Sequence, residues 1–74
     1  MARAEGNEMA INLLKLRAVC AATALSKTAV YKLQRLGKFP QAVRIGERAV
    51  AWPEPEVAAW VAARIAARDS RGAA

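Results

Sequence analysis

The sequence predicts a mainly α chain with a small β-hairpin, a single-domain winged helix-turn-helix, and three observations carry that expectation. A serine-led amphipathic segment, 26–36, follows a shorter apolar helix after a tight connection. Two alternating stretches, 42–45 and 48–52, flank Gly46-Glu47 and read as a hairpin. A proline-introduced, alanine-rich helix then closes the chain, and 74 residues leave no room for a second domain of ordinary size.

Taken in order, residues 1–10 are polar, small and charged and read as a disordered lead-in. The domain itself is expected over 11–68, with 69–74 as a frayed tail. Ile11 to Leu16 is apolar enough to pack as a short strand or an extended arm. The first helix is expected over 17–22, with Val19 as its main large core residue. Thr23-Ala24-Leu25 turns the chain, and the Ser26 hydroxyl is placed to cap the second helix by accepting an orphan N–H. Gly37 supplies the left-handed residue that commonly ends a helix. In the hairpin, Gly46 is expected to provide the positive φ of a tight turn. Val43 and Ile45 share one face and leave Arg44 on the other, and Val50 and Trp52 do the same on the partner strand. Pro53 and Pro55 suit the first turn of the last helix, where N–H groups have no acceptor to lose, and Glu54 and Glu56 suit its positive end.

Charge narrows the function classes. The chain carries 12 Lys+Arg against 6 Asp+Glu, a net +6. Between Lys15 and Arg48 eight basic residues meet a single acid, Glu47, so this stretch holds +7 and the flanks sum to −1. The basicity is therefore concentrated on the second helix, the wing and their approaches. With no His and one Cys, zinc sites, Ser–His or Cys–His nucleophile pairs and internal disulfides all lack a partner, and the glycines are isolated. No enzyme, metal or cofactor is expected. The longest uncharged stretch, Ala18 to Ser26, is nine residues, against roughly 20 for a membrane span. The first nine residues carry Arg3, Glu5 and Glu8 and no apolar run, so no secretory signal or membrane association is expected.

At about 100° per residue, Ala29, Val30, Leu33 and Leu36 fall within about 120° of one another and form a core stripe. Tyr31 sits opposite, flanked by Lys27, Thr28, Lys32, Gln34 and Arg35. That outward face has three cations, an aromatic, two neutral hydrogen-bonding groups and no acid. A merely solvated basic face is the plain alternative, but solvated faces usually mix signs to gain i,i+4 pairs. Lys and Arg neutralise phosphates or reach guanine, and Thr, Gln and Tyr bond to phosphate or base, so the pattern suits a helix in the major groove. Arg44 and Arg48 lie on or beside the hairpin turn, where a wing reaches an adjacent backbone or minor groove. The alternative for them is protection of an edge strand.

On the last helix, Val57, Trp60, Val61 and Ile65 form an expected core face with Trp52. Packing accounts for the two tryptophans better than stacking on single-stranded bases. The remaining alanines, 58, 59, 62, 63, 66 and 67, offer a smooth surface for self-association between neighbours on DNA, although helix propensity alone also explains them. Cys20 reads as a small core hydrophobe rather than a reactive thiol.

The run from Leu13 to Arg64 resembles the AlpA-like phage and prophage regulators, small winged helix-turn-helix proteins of the excisionase and MerR-related group. The matching pieces are LSKTAVYKL (25–33), GKFP (37–40), RIGERAVAW (44–52) and EVAAWV (56–61), in one colinear order. The resemblance implies sequence-specific duplex DNA binding, with Ser26, Lys27, Thr28, Tyr31 and Lys32 on the recognition helix and Arg48 in the wing. It departs at Ala51, where the family commonly has a polar residue and where a wing contact is thereby lost, and at Pro53 and Pro55, which stiffen the approach to the last helix. The expected role is transcriptional regulation of a phage or mobile element in the host cytoplasm, at the nucleoid, beside transcription machinery. The alternatives are an excisionase that bends DNA and recruits an integrase, and a basic protein-interaction adaptor with only non-specific DNA affinity. RNA is a weaker fit, because no exposed aromatic sheet is offered for stacking bases.

Overall fold

Five short elements precede one long one. The computed structural model describes residues 11–72, in the order β1 (Leu13–Leu14), α1 (Leu16–Thr23), α2 (Lys27–Arg35), β2 (Val43–Arg44), β3 (Val50–Pro53) and α3 (Glu54–Gly72). The expected lead-in, 1–10, lies outside the described residues, as do the last two residues of the expected tail.

Local hydrogen bonds build the helix-turn-helix. After α1, Ala24 adopts φ 63° and its N–H donates to the Cys20 carbonyl at 2.8 Å. This is the left-handed ending more often given to glycine. The Thr23 hydroxyl donates to the Val19 carbonyl at 2.8 Å and accepts the Leu25 N–H at 3.3 Å. The turn thus satisfies its polar groups within a few residues. Ser26 Oγ accepts the Ala29 N–H at 3.1 Å, the cap expected for α2. At the far end Gly37 (φ 75°) donates to Gln34 O at 3.0 Å and Lys38 to Leu33 O at 2.8 Å. These two bonds make the Schellman ending.

The wing is a three-stranded antiparallel sheet rather than a lone hairpin. Its order is β1-β3-β2, so the expected apolar arm is a strand that covers one edge of β3, pairing Leu13 with Pro53 and Leu14 with Trp52. On the other edge Val43 pairs with Ala51 and Arg44 with Val50. Cross-strand partners project to the same face. Val50 therefore shares a face with Arg44 and not with Val43, and Val43 and Ile45 are 43% and 46% exposed instead of packing inward. Gly46 also departs from expectation, because it does not have positive φ. Ile45 N–H donates to Ala49 O at 2.9 Å, leaving residues 46–48 to reverse the chain, and this longer loop spreads the turn over ordinary dihedrals.

The core is Val19, Val30, Phe39, Trp52 and Val57, with Leu14, Leu16, Cys20, Leu25, Leu33 and Trp60 packed around it. Helix α1 is the hub, touching α2, α3, β1 and β3. Two expected core residues are exposed. Leu36, at 56%, is the residue where α2 ends. Ile65, at 47%, lies where α3 has already run past the body. Phe39, which no local sequence signal marks as core, is 4% exposed and meets the Trp60 ring edge-on at 5.0 Å. Trp60 Nε1 donates to Lys38 O at 2.8 Å, and the Arg64 guanidinium lies 5.5 Å from its ring centroid.

Helix α3 is anchored at its start. Glu54 N–H donates to Asn12 O at 2.8 Å, and the Asn12 amide donates to Glu54 Oε1 at 3.1 Å. The helix continues to Gly72, four residues beyond the expected end at 68. No glycine or proline interrupts it between Pro55 and Gly72, and Arg71 near the end complements the helix dipole. Among the described residues no helix is long and apolar enough to cross a membrane.

Candidate nucleic-acid interface

Helix α2 presents its polar residues on one exposed surface. Ser26, Lys27, Thr28, Tyr31, Lys32 and Arg35 are all exposed; Ser26 caps the helix, and the other five occupy about 140° of it at 100° per residue. The Ser26 hydroxyl spends its acceptor on the Ala29 N–H, which leaves its proton free to donate. Tyr31 is 38% exposed because its ring tilts against Trp52 with centroids 6.1 Å apart. It is thus both a surface group and a flank of the core.

Gln34 does not belong to this surface, contrary to the sequence reading. Its Oε1 accepts the Ala42 N–H at 3.0 Å and Trp52 Nε1 at 3.1 Å, while Gln41 Nε2 donates to its carbonyl at 2.9 Å. Trp52 Nε1 also donates to Pro40 O at 3.0 Å. The buried arc of α2 is therefore rotated from Leu36 toward Gln34, since the sheet packs on that side. Gln34 acts as a strut between the helix, the residue that leads into β2, and β3.

Arg44 stands on β2 and Arg48 in the loop that follows it, both exposed. Arg44 Nη1 donates to the Glu47 carbonyl at 3.4 Å, a long bond that holds the loop only weakly. Ala51 is 1% exposed, so a side chain there would point into the protein and no wing contact is lost by its being alanine.

Two cations outside the expected set join the surface. Lys15 and Arg17, at the start of α1, line a groove of about 590 Å³ together with Leu16, Cys20, Leu25, Ser26 and Lys27. Both belong to the basic stretch of the sequence, but only the fold brings them beside the first turn of α2. Among the described residues the one salt bridge is Arg68–Asp69 on α3. Lys15, Arg17, Lys27, Lys32, Arg35, Arg44 and Arg48 therefore make no ion pair with any described acid. Nor do the described residues contain a cluster of His, Cys, Asp or Glu that could hold a metal. The arrangement can neutralise a line of anionic charge and offer hydrogen bonds between the cations.

Comparison with known proteins gives the chain a family. Residues 12–65 match the family described as "Prophage CP4-57 regulatory protein (AlpA)". The chain is also 50% identical over 44 residues to "Uncharacterized protein ORF88" of Enterobacteria phage P4, an alignment covering 60% of this chain and 50% of that protein. The match thus spans half the length of this relative. No solved structure matches the chain significantly.

Proposed function

Because the chain belongs to the AlpA family of prophage regulatory proteins, we propose that it is a sequence-specific double-stranded DNA-binding protein and a transcriptional regulator of a phage or mobile element. Helix α2 enters the major groove, where Thr28, Tyr31, Lys32 and Arg35 face base edges and phosphates, and Ser26 and Lys27 hold the backbone beside its first turn. Arg44 and Arg48 carry the wing to the neighbouring backbone or minor groove. Lys15 and Arg17 extend the phosphate line across the start of α1. The protein acts by binding, without a chemical step or a cofactor, in the host cytoplasm and next to transcription machinery.

The observation that carries this reading is the set of exposed cations on α2 and the wing that pair with no described acid. Surface charges normally find opposite partners when they serve only solubility. A line of them that meets no described acid suits a polyanion.

Selection of bound fragments from a random duplex pool tests specificity, and enrichment of one motif is the expected result. Binding to that motif should weaken steeply with salt, with a log–log slope of about −4 to −7 for about 5–8 neutralised phosphates. Failure to enrich any motif, together with equal affinity for all duplexes, would reduce the protein to a basic adaptor. Footprinting then places the site: protection of a promoter supports regulation, whereas protection of repeated sites at an attachment region, filled cooperatively with an integrase, reassigns the protein to excision.

A further inference from the structure

We propose that α3 is a self-association surface and that its occupant is a second copy of this chain, packed antiparallel on the same helix about a two-fold axis. An apolar groove of about 330 Å³ runs along α3, lined by Ala58, Val61, Ala62 and Ile65 from the helix and by Leu14 and Ala22 from the body. Ala62 and Ile65 are both exposed, so the apolar part of this face outlasts the cover that the chain's own elements give it, and Arg68 and Asp69 follow on the same face. Ile65 stands at that point with 47% of its surface in solvent.

Charge selects the occupant. The first half of α3 carries Glu54 and Glu56, a net −2, and the second half carries Arg64, Arg68 and Arg71 against Asp69, a net +2. A patch with an acidic end, an apolar middle and a basic end does not match a partner of one sign. It is its own complement when a copy is turned end for end, the self-matching that an isologous interface requires. The antiparallel pairing also sets the two helix dipoles head to tail. Alanines at 58 and 62, one turn apart, let the two backbones come close, and Ile65 of each copy then fills the groove beside Leu14 and Ala22 of the other. Of the alanines on this helix, only those facing the groove take part. Residues 59, 63 and 67 lie on the opposite side, at about 100° per residue.

Sedimentation equilibrium of the full chain without DNA, from micromolar to millimolar concentration, tests the inference independently of DNA binding. The expected result is a concentration-dependent monomer–dimer equilibrium. Ile65→Lys should raise the dimer dissociation constant by roughly tenfold or more, with the helical circular dichroism of the monomer retained. Glu54→Arg and Arg68→Glu should each weaken the dimer, and the double reversal should restore it, because in an antiparallel pair each faces the other. A chain that stays monomeric at every concentration overturns the proposal. So does a dimer unchanged by Ile65→Lys, which would use another face, or a double reversal as weak as the single ones.

Discussion

Replacing Gln34 by Met removes an acceptor while keeping the length of the side chain, and the structure sets what that costs. Two donors lose the same oxygen: the Ala42 N–H at 3.0 Å and Trp52 Nε1 at 3.1 Å. Trp52 keeps Pro40 O at 3.0 Å, so it loses one arm of a shared bond. Ala42 loses the acceptor its N–H has among the described residues, and it is half-buried. A donor stranded in this way costs about 1–3 kcal/mol and the weakened indole bond up to about 1 kcal/mol more. Water reaching the partly open Ala42 offsets some of this, which leaves about 2 kcal/mol. A domain of this size has roughly 4–11 kcal/mol in total, so the loss is a large share. At about 4–8 °C per kcal/mol for a small domain, Tm should fall by about 8–16 °C. Thermal unfolding followed by far-UV circular dichroism and tryptophan fluorescence measures it. Gln34→Glu keeps both acceptor positions and should lose less than half as much. A Met variant melting within roughly 3 °C of the parent would show that Gln34 is not the strut between α2 and the wing.

Ala24 holds φ 63° at the end of α1, a region that costs an L-residue about 1 kcal/mol and glycine nearly nothing. Ala24→Gly should therefore raise stability by about 0.5–1 kcal/mol, seen as a higher urea midpoint at unchanged slope; a lower midpoint would mean that the alanine methyl contributes packing the turn needs. Tyr31→Phe keeps the ring against Trp52 and should leave Tm within roughly 3 °C while weakening binding to the selected DNA motif. Tyr31→Ala should lose stability as well, by about 1–3 kcal/mol. Equal affinity of the Phe variant and the parent, measured by fluorescence anisotropy, would remove the hydroxyl from the interface.

What the sequence makes legible follows the range of the interaction. The Ser26 cap and the Gly37 ending depend on bonds that span three to five residues, so the residue types alone announce them. The acid-free face of α2 is legible for the same reason: helical periodicity is local. The position of Gln34 is not, because its two acceptor bonds reach Ala42 and Trp52, 8 and 18 residues away. A helical wheel places Gln34 between the buried and exposed arcs, and only the wing's docking decides the matter. Gly46 and Ile65 fail differently. The register of β2 on β3 makes the loop one residue longer than a two-residue turn, so glycine's freedom is not needed. Ile65 continues the apolar period of α3, but the body it would pack against has ended. Lys15 and Arg17 are visible as charges, yet their place beside Lys27 depends on how α1 crosses α2.

Lys38 and Phe39, just past the ending of α2, do more than close it. Lys38 completes the Schellman ending through its N–H, and its carbonyl receives the Trp60 indole at 2.8 Å; Phe39, next in the chain, carries the edge of the same ring. Helix α3 is thus tied to the stem that follows α2 as well as packed on α1 and β3. A displacement of the far end of α3 is therefore felt at α1 and β3 and also, through Lys38 and Phe39, at the C-terminal end of α2.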